Sequence, residues 1–420
     1  MLESIRKFIF NLNPNIIIQA PSRINLINPL DAVEGDFWMP SVAINGIKNP
    51  LSVFLYIKEI KGQSRLKIYS ISSLKNRIKI EIVSDEIIPK KKVDIKSILG
   101  GKQRLIYASI FRLAEMSSYF AEKFIDSNIE IGLITTIPQQ SGLGGSSAII
   151  IAVIYAFTQY FNFFNNFSVL RENEFPLNRD IIAEIATKVE DEDLNIAAGY
   201  SDRYTIARGG LGFCCYTGKL HHKEISNEPL AIYDRIDETY SITNLPILIC
   251  YSGVSHDSGS VHEKLRTLYL QNESQIHQYY SELAEISWKS RFALMNHDWA
   301  LLGKYFKENT RITNNVMKFA GFRYGIGAVN NILIQLIEDH DNVYGVKLTG
   351  AGNGGSVFAL VKPNKIELMH KYWKSKLNEI ISDKEIFISK FPYYPLEIRE
   401  ELKKARFFQI TIDTNGVKKL

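Results

Sequence analysis

Three short segments carry residue types and spacings suited to chemistry on an anion. The first is Pro138-Gln-Gln-Ser141-Gly142-Leu143-Gly144-Gly145-Ser146-Ser147-Ala148, which runs into Ile149-Ile150-Ile151. Its glycines remove side chains where a helix begins, so backbone N–H groups and the positive helix end can face a phosphate. Ser146 and Ser147 are placed to cap that helix or to reach a metal bound to the anion. A glycine-rich turn with an ordinary serine cap would look the same. There is no Gly-Lys-Ser/Thr, so this is not a Walker loop. The second segment is Lys347-Leu-Thr-Gly350-Ala351-Gly352-Asn353-Gly354-Gly355, with four glycines in six positions. That is more than a hairpin needs, and it suits either a turn or a backbone that approaches a ligand or another loop closely. The third runs from Glu190 through Gly199, Tyr200 and Asp202 to Arg203. A carboxylate at a helix end and another beyond a glycine turn could hold magnesium and a reacting hydroxyl. An acidic helix end followed by a turn aspartate is the plainer alternative.

The elements that must position these segments follow from hydrophobic period. Ile16-Ile17-Ile18 leads into Ala20-Pro21, Leu51 to Ile57 reads as an antiparallel strand, and Arg65 to Ile71 pairs with Arg77 to Val83. Lys102 to Phe124 is helical with polar breaks. Ile129 to Ile137 is a strand ending at Pro138, a long apolar helix starts near Ser146, and Pro176 to Glu192 forms another. Beyond Asn244 the expected order is a strand at Leu245 to Tyr251, then helices at His262 to Leu270, Gln275 to Asn296, Trp299 to Thr310 and Ala328 to Glu338. Strands at Val343 to Leu348 and Gly355 to Val361 flank the second glycine loop, and Lys365 to Ile380 is helical. Strands and helices in blocks predict an α+β layered fold.

With 420 residues the chain exceeds what one core usually organises. Two domains are expected, 1–243 and 244–420, with the boundary between Glu238 and Leu245. Apolar residues at 45% and charged residues at 23% exclude a disordered class. The excess of 50 basic over 45 acidic residues is small, and Lys90-Lys91-Lys92 lacks interleaved aromatics, so no nucleic-acid partner is expected. Cys214, Cys215 and Cys250 form no CxxC pair, which fits a reducing, cytoplasmic setting. Ala148 to Phe157 is about half of a membrane span, and Phe8-Ile9-Phe10 is too short for a signal-peptide core. No membrane partner is expected.

In this order and at these distances the segments resemble the GHMP kinases, the family of galactokinase, homoserine kinase, mevalonate kinase and phosphomevalonate kinase. Ala20-Pro21-Ser22-Arg23-Ile24-Asn25-Leu26 resembles that family's first motif, Ala-Pro-Gly-Arg-Val-Asn-Leu. Pro138 to Ala148 resembles its ATP loop, and Lys347 to Gly355 its third motif. The spacing from Glu190 through Gly199 to Asp202 is similar to the galactokinase-like pattern. Within the family, Ala198-Gly-Tyr-Ser-Asp-Arg203 with Gly209-Gly210-Leu211, and Ile232-Tyr-Asp with Asp257 to His262, resemble glucuronokinase and other sugar-1-kinases. The tail from Phe407 to Ile412, ending in Gly416, resembles the heptose-phosphate kinases instead.

The resemblance implies a ribosomal-S5-like N-terminal domain, a ferredoxin-like C-terminal domain, ATP and Mg2+ as cofactors, and a sugar substrate for a monomer or homodimer. It implies that Asp202 orients or accepts the hydroxyl proton and that Arg23, always charged, offsets developing negative charge. Pro138, Ser141, Gly142, Leu143, Gly144, Gly145, Ser146 and Ser147, with Gly350, Ala351 and Gly352, are implied to bind the nucleotide. Glu190 with Ser146 or Ser147 is implied to hold the metal. Asp31, Glu34, Gly199, Tyr200 and Arg203 are implied substrate contacts, and Arg203, Arg235 and Arg266 are candidate grips for a uronate carboxylate. The sequence departs from the pattern at Ser22, where the motif has glycine. It also departs at Asn28-Pro29-Leu30-Asp31, one residue short, which leaves Asp31 and Glu34 both as candidates. The extra glycine of the ATP loop leaves Ser146 and Ser147 both open. The reading from another class is a sugar or nucleotide sensor without turnover, since fold does not fix function.

Overall fold

A computed structural model describes residues 1–27, 39–74, 77–162, 178–216, 231–255 and 258–420. Its strands are β1 (Ile16–Asn25), β2 (Met39–Gly46), β3 (Ser52–Glu59), β4 (Arg65–Leu74), β5 (Arg77–Ile87), β6 (Ile129–Thr135) and β7 (Leu211–Tyr216). They continue with β8 (Ala231–Arg235), β9 (Ile247–Tyr251), β10 (Val343–Thr349), β11 (Ser356–Val361), β12 (Arg406–Ile412) and β13 (Lys418–Lys419). The continuous path runs β10-β11-β9-β12-β2-β1-β3-β6-β4-β5, with β13 on β1 and the β7–β8 pair on β2. Only β4 and β6 pair in parallel; every other pairing among the described strands is antiparallel. This is the expected α+β architecture.

β1 is buried along its whole length because both of its faces are covered. Successive side chains point to opposite faces. Ile16 and Ile18 join the main core, whereas Ile17 packs with Ile5 and Ile9 of the helix Leu2–Asn11. The first half of β1 pairs with β3 at Ile16 to Pro21, and the second half pairs with β2 at Ser22 to Asn25. That switch of partners carries the end of β1 out of the outer sheet and toward the cleft described below.

The helix Gly145–Tyr160 is apolar nearly all round, so it can only sit inside, and it packs on β1, β3 and the helices Arg104–Met116 and Arg179–Lys188. The stretch expected as one helix over Lys102 to Phe124 is two, Arg104–Met116 and Ser118–Asp126. Ser117 is extended between them and caps the second by accepting from the Phe120 amide at 3.1 Å. Such competition from a hydroxyl is what breaks the period. The helix expected from Pro176 is observed as Arg179–Lys188, capped by Asn178, and it ends in a π-helical turn, Val189–Asp193; its proposed first residues lie outside the described set.

In the second half, β9, β10 and β11 are backed by the helices Trp299–Phe319, Ala328–Gln335 and Ile366–Ser382. β12 pairs with β9 along one edge and with β2 along the other, and β13 pairs with β1. The last residues of the chain thus bind sheet from before and after residue 243 together. No helix among the described residues is long and apolar enough to cross a membrane.

Candidate active site

Arg23 and Asn25 stand two positions apart on β1 and so share a face. Both reach Asp202, which lies in the first turn of the helix Ser201–Arg208. Nη2 of Arg23 donates to Oδ2 of Asp202, and Nδ2 of Asn25 donates to Oδ1 at 3.2 Å. The Asn25 amide is fixed in turn, because its Oδ1 accepts from Ser41 Oγ at 2.8 Å. Both carboxylate oxygens of Asp202 are therefore oriented by one strand. Nη1 of Arg23 donates at 2.5 Å to the carbonyl of Gly142, which ties the same guanidinium to the first glycine loop.

The two glycine loops touch backbone to backbone. A Cβ on Gly142 would lie 2.4 Å from the Thr349 carbonyl oxygen, and one on Gly350 would lie 2.8 Å from Gly142 Cα. No side chain fits at either place. Thr349 Oγ1 joins the loops to β1, donating to Gly142 O at 3.3 Å and accepting from the Asn25 amide at 3.3 Å. Lys347 is buried beneath them; its Nζ donates to Asn25 O at 3.1 Å and to Leu348 O at 2.5 Å. Burial, reinforced by the nearby Arg23 charge, holds its pKa well below the ordinary lysine range.

The helix Gly145–Tyr160 starts from Gly144, whose φ of +76° is left-handed, and no side chain caps it. Ala148 is the first residue whose amide bonds within the helix, to Gly144 O at 2.9 Å. The amides of Gly145, Ser146 and Ser147 have no intrahelical acceptor and leave a positive end facing the cleft.

The π-helical turn brings in the remaining charges. Glu190 forms an ion pair with Arg203, whose Nη1 also donates to Gly199 O at 2.9 Å and lies 3.9 Å from Asp202 Oδ2. Glu190, Arg203, Asp202 and Arg23 thus form a row of alternating charge in which Asp202 is half-buried and the other three are buried. Asp191 accepts from the Ala198 amide at 3.3 Å and pairs with Arg266 at 2.8 Å, which clamps the turn from behind.

Arg23, Ser141, Gly142, Gly144, Gly145, Ser146, Ser147, Glu190, Gly199, Asp202, Arg203, Gly350 and Ala351 line one cleft. Four other expected residues do not line it. Pro138 lies at the approach to the loop, and Leu143 is buried in the core, where its carbonyl accepts from Ser22 Oγ at 2.7 Å. Tyr200 is fully buried and packs edge-on to Tyr204, and Gly352 packs against the Ile326 carbonyl. Asp31 and Glu34 lie outside the described residues. Of the three arginines considered for a uronate, Arg203 alone lines the cleft; Arg266 is paired with Asp191, and Arg235 with Asp237 at 2.7 Å. Sequence reasoning assigned no role to Asn25, Gln140, Ile196, Ala197, Ala198 or His262, which also line the cleft. Asn25 could have been found, since it repeats the face of Arg23; His262 comes from a distant helix, Ser258–Leu270, and closes the stretch from Asp257 that resembles the sugar-1-kinases.

These residues fit a nucleotide's phosphates. The hydroxyl of Ser141 is buried and among the described residues has no hydrogen-bond partner, on the cleft wall beside the free helix end. Glu190 and the two serine hydroxyls are hard oxygen donors of the kind magnesium takes. Among the described residues no three His, Cys, Asp or Glu gather to hold a metal.

Comparison with known proteins decides the lineage. The family model described as GHMP kinases N terminal domain matches residues 106–210, and that described as GHMP kinases C terminal matches residues 292–379. This chain belongs to the GHMP kinase family. It is a phosphotransferase family that acts on alcohol groups, and its kinases use ATP. Glucuronokinase 1 of Arabidopsis thaliana is 25% identical to this GHMP kinase over 357 residues, covering 84% of each chain. Probable glucuronokinase 2 of the same plant is 24% identical over 59% of this chain, which spans 61% of that protein's length. The D-glycero-alpha-D-manno-heptose 7-phosphate kinase of Campylobacter jejuni is 25% identical over 64% of this chain and 71% of its own. Among solved structures, galactokinase of Lactococcus lactis in complex with galactose shares the fold with a TM-score of 0.61 at 15% identity, over 96% of this chain and 95% of that one.

Proposed function

We propose that this GHMP kinase transfers the γ-phosphoryl group of ATP to the anomeric hydroxyl of a monosaccharide, with uronic acids as the leading class. The observation that carries the reading is the doubly oriented carboxylate of Asp202 in the cleft that also holds the glycine loops and the free helix end. Phosphoryl transfer needs positioning and charge compensation more than covalent chemistry. Asp202 orients the attacking hydroxyl and takes its proton. Arg23, permanently charged, compensates the negative charge that grows as the hydroxyl attacks. Ser141, the amides of Gly145 to Ser147 and the two glycine loops hold the phosphates and exclude water from them. Glu190 with Ser146 or Ser147 would hold magnesium, which when bound would neutralise phosphate charge.

The sugar-1-kinase assignment is supported by the similarity to the two plant glucuronokinases and by the stretch from Ala198 to Arg203 at the cleft wall. A uronate carboxylate would share the Arg203 fork with Glu190. The similarity to the heptose 7-phosphate kinase supports a second reading, in which the acceptor is itself a sugar phosphate.

The deciding experiment measures ADP release from ATP against glucuronate, galactose, galacturonate, arabinose, fucose, heptose phosphates and mevalonate, followed by phosphorus-31 NMR of the product. A phosphorus coupled to H1 of the sugar supports the proposal. Coupling to two methylene protons, as from mevalonate, refutes it and leaves the kinase assignment standing. No release with any acceptor supports a sensor.

A further inference from the structure

Outside the cleft, a second cavity of about 500 Å³ opens between the end of the helix Trp299–Phe319, the turn after it, and the segment from Ser389 to Tyr394. That volume is in the range of small-molecule sites. Its wall carries Tyr324 and Tyr394, half-buried with ring centroids 5.5 Å apart, and Tyr393 stands 87% exposed at the mouth. Its rim is basic. Lys318, Arg323 and Lys390 line it, and among the described residues no acidic side chain does. Lys390 is neutralised by Glu379 at 3.2 Å, but among the described residues neither Lys318 nor Arg323 has an ion pair. Arg323 lies 5.1 Å over the Tyr324 ring. The floor is polar and fixed, with Asn331 donating to Tyr324 O at 2.8 Å and to Asn314 Oδ1 at 3.2 Å.

Unpaired cations beside tyrosine faces suit one ligand chemistry, a phosphate group joined to a ring that can lie against a tyrosine face. The geometry points to a second binding site here for a phosphorylated ring compound, either a nucleotide or a sugar phosphate. The site is mechanically joined to the cleft. The turn that carries Tyr324 continues to Ile326, whose carbonyl accepts from the Asn353 amide at 2.6 Å, and Asn330 holds Gly354 through bonds of 2.7 and 2.9 Å. Residues 350–355 are the loop that touches Gly142. A ligand that moves the Tyr324 turn therefore pushes on the loop that closes the phosphate end, and it changes the KM for ATP.

The test is calorimetric titration of AMP, of glucose 1-phosphate and of inorganic phosphate into the full chain saturated with a non-hydrolysable ATP analogue. The same titrations are run on the Lys318→Glu/Arg323→Glu and Tyr393→Ala variants. The expected result is binding of AMP or glucose 1-phosphate, weakened at least tenfold by charge reversal and several-fold by Tyr393→Ala, with unchanged thermal melting. Binding of AMP alone assigns the flat face to a base, and binding of glucose 1-phosphate alone assigns it to a sugar. No binding of either, or equal binding by the charge-reversed variant, overturns the site. Inorganic phosphate binding as tightly as both overturns the ring. Binding that leaves the KM for ATP unchanged overturns the link to the cleft. Because location is read from Lys318 and Arg323, this outcome is separable from failure of the sugar-kinase assignment.

Discussion

Arg23 and Asp202, separated by 179 positions in sequence, meet in a hydrogen-bonded ion pair at the mouth of the two glycine loops. The pair is buried, with side-chain exposures of 6% and 14%, and the same guanidinium bonds the Gly142 carbonyl. One arginine therefore sets the position of the Asp202 carboxylate relative to the first glycine loop.

Asp202→Asn is nearly isosteric and keeps an oxygen for Arg23 and an NH2 in place of the other oxygen. It cannot take the hydroxyl proton, and it leaves the buried guanidinium without a counter-charge. We expect a folded variant with turnover lowered by about a hundredfold to ten-thousandfold. The KM for ATP should change little, because the loops are untouched. Steady-state kinetics and a thermal melt check both parts, and near-native turnover removes Asp202 from the reaction.

Gly144→Val tests the loop. Its φ of +76° is one that a β-branched residue resists, and a Cβ there would lie 3.0 Å from Arg23 Cγ and 3.1 Å from Ile206 Cδ1. The loop must shift away from Arg23 and take the helix end with it. The KM for ATP should rise tenfold or more, roughly 1.4 kcal/mol of lost binding, while sugar binding changes less. Calorimetric titration of both ligands separates the two effects.

The site was legible where one residue type is needed in quantity. The glycines of both loops announce themselves because a backbone contact tolerates nothing else, as the approach of Gly142 to Gly350 shows. Asp202 and Glu190 were legible only through the resemblance of their spacing to the galactokinase-like pattern, and the π-helical turn that carries Glu190 is one that no local pattern signals. Tyr200 illustrates the opposite failure. It sits within the motif but its ring turns into the core, since motif membership does not say which way a side chain points. The strand β12 was expected only as a tail. Its bond to β2 joins residues such as Ile410 and Gly46, and no periodicity read within either segment reveals so distant a partner.

Ser146 and Ser147 are next in the helix but not equivalent. Ser147 is 3% exposed and Ser146 is exposed, while both line the cleft. Glu190 is equally buried, at 3%. A cation held by Glu190 at the floor of the cleft meets the Ser147 hydroxyl more readily than the one open to solvent. Ser147→Ala should raise the magnesium concentration for half-maximal activity several-fold more than Ser146→Ala. Magnesium titrations with ATP saturating test this, and the reverse order would assign the metal side to Ser146.

Lys347 gives a prediction in pH. It is fully buried, its Nζ lies 4.9 Å over the Phe358 ring, and it bonds the carbonyls of Asn25 and Leu348 with no carboxylate beside it among the described residues. Burial first, and the Arg23 charge second, depress its folded pKa well below the 10.5 of a free lysine. Between the folded value and 10.5 the unfolded chain binds more protons than the folded one, so stability attributable to this group rises with pH across that window. Below the folded value the full penalty for burying an ammonium is present. Lys347→Met keeps the apolar stem and removes the titration. Relative to wild type, the variant should therefore stand best at low pH and lose ground as the pH rises, on top of a constant loss from its two missing hydrogen bonds. Urea denaturation midpoints of both proteins at about pH 6.5 and about pH 9.5 provide the check. A difference between them that does not change with pH would mean that Lys347 carries the same charge folded and unfolded.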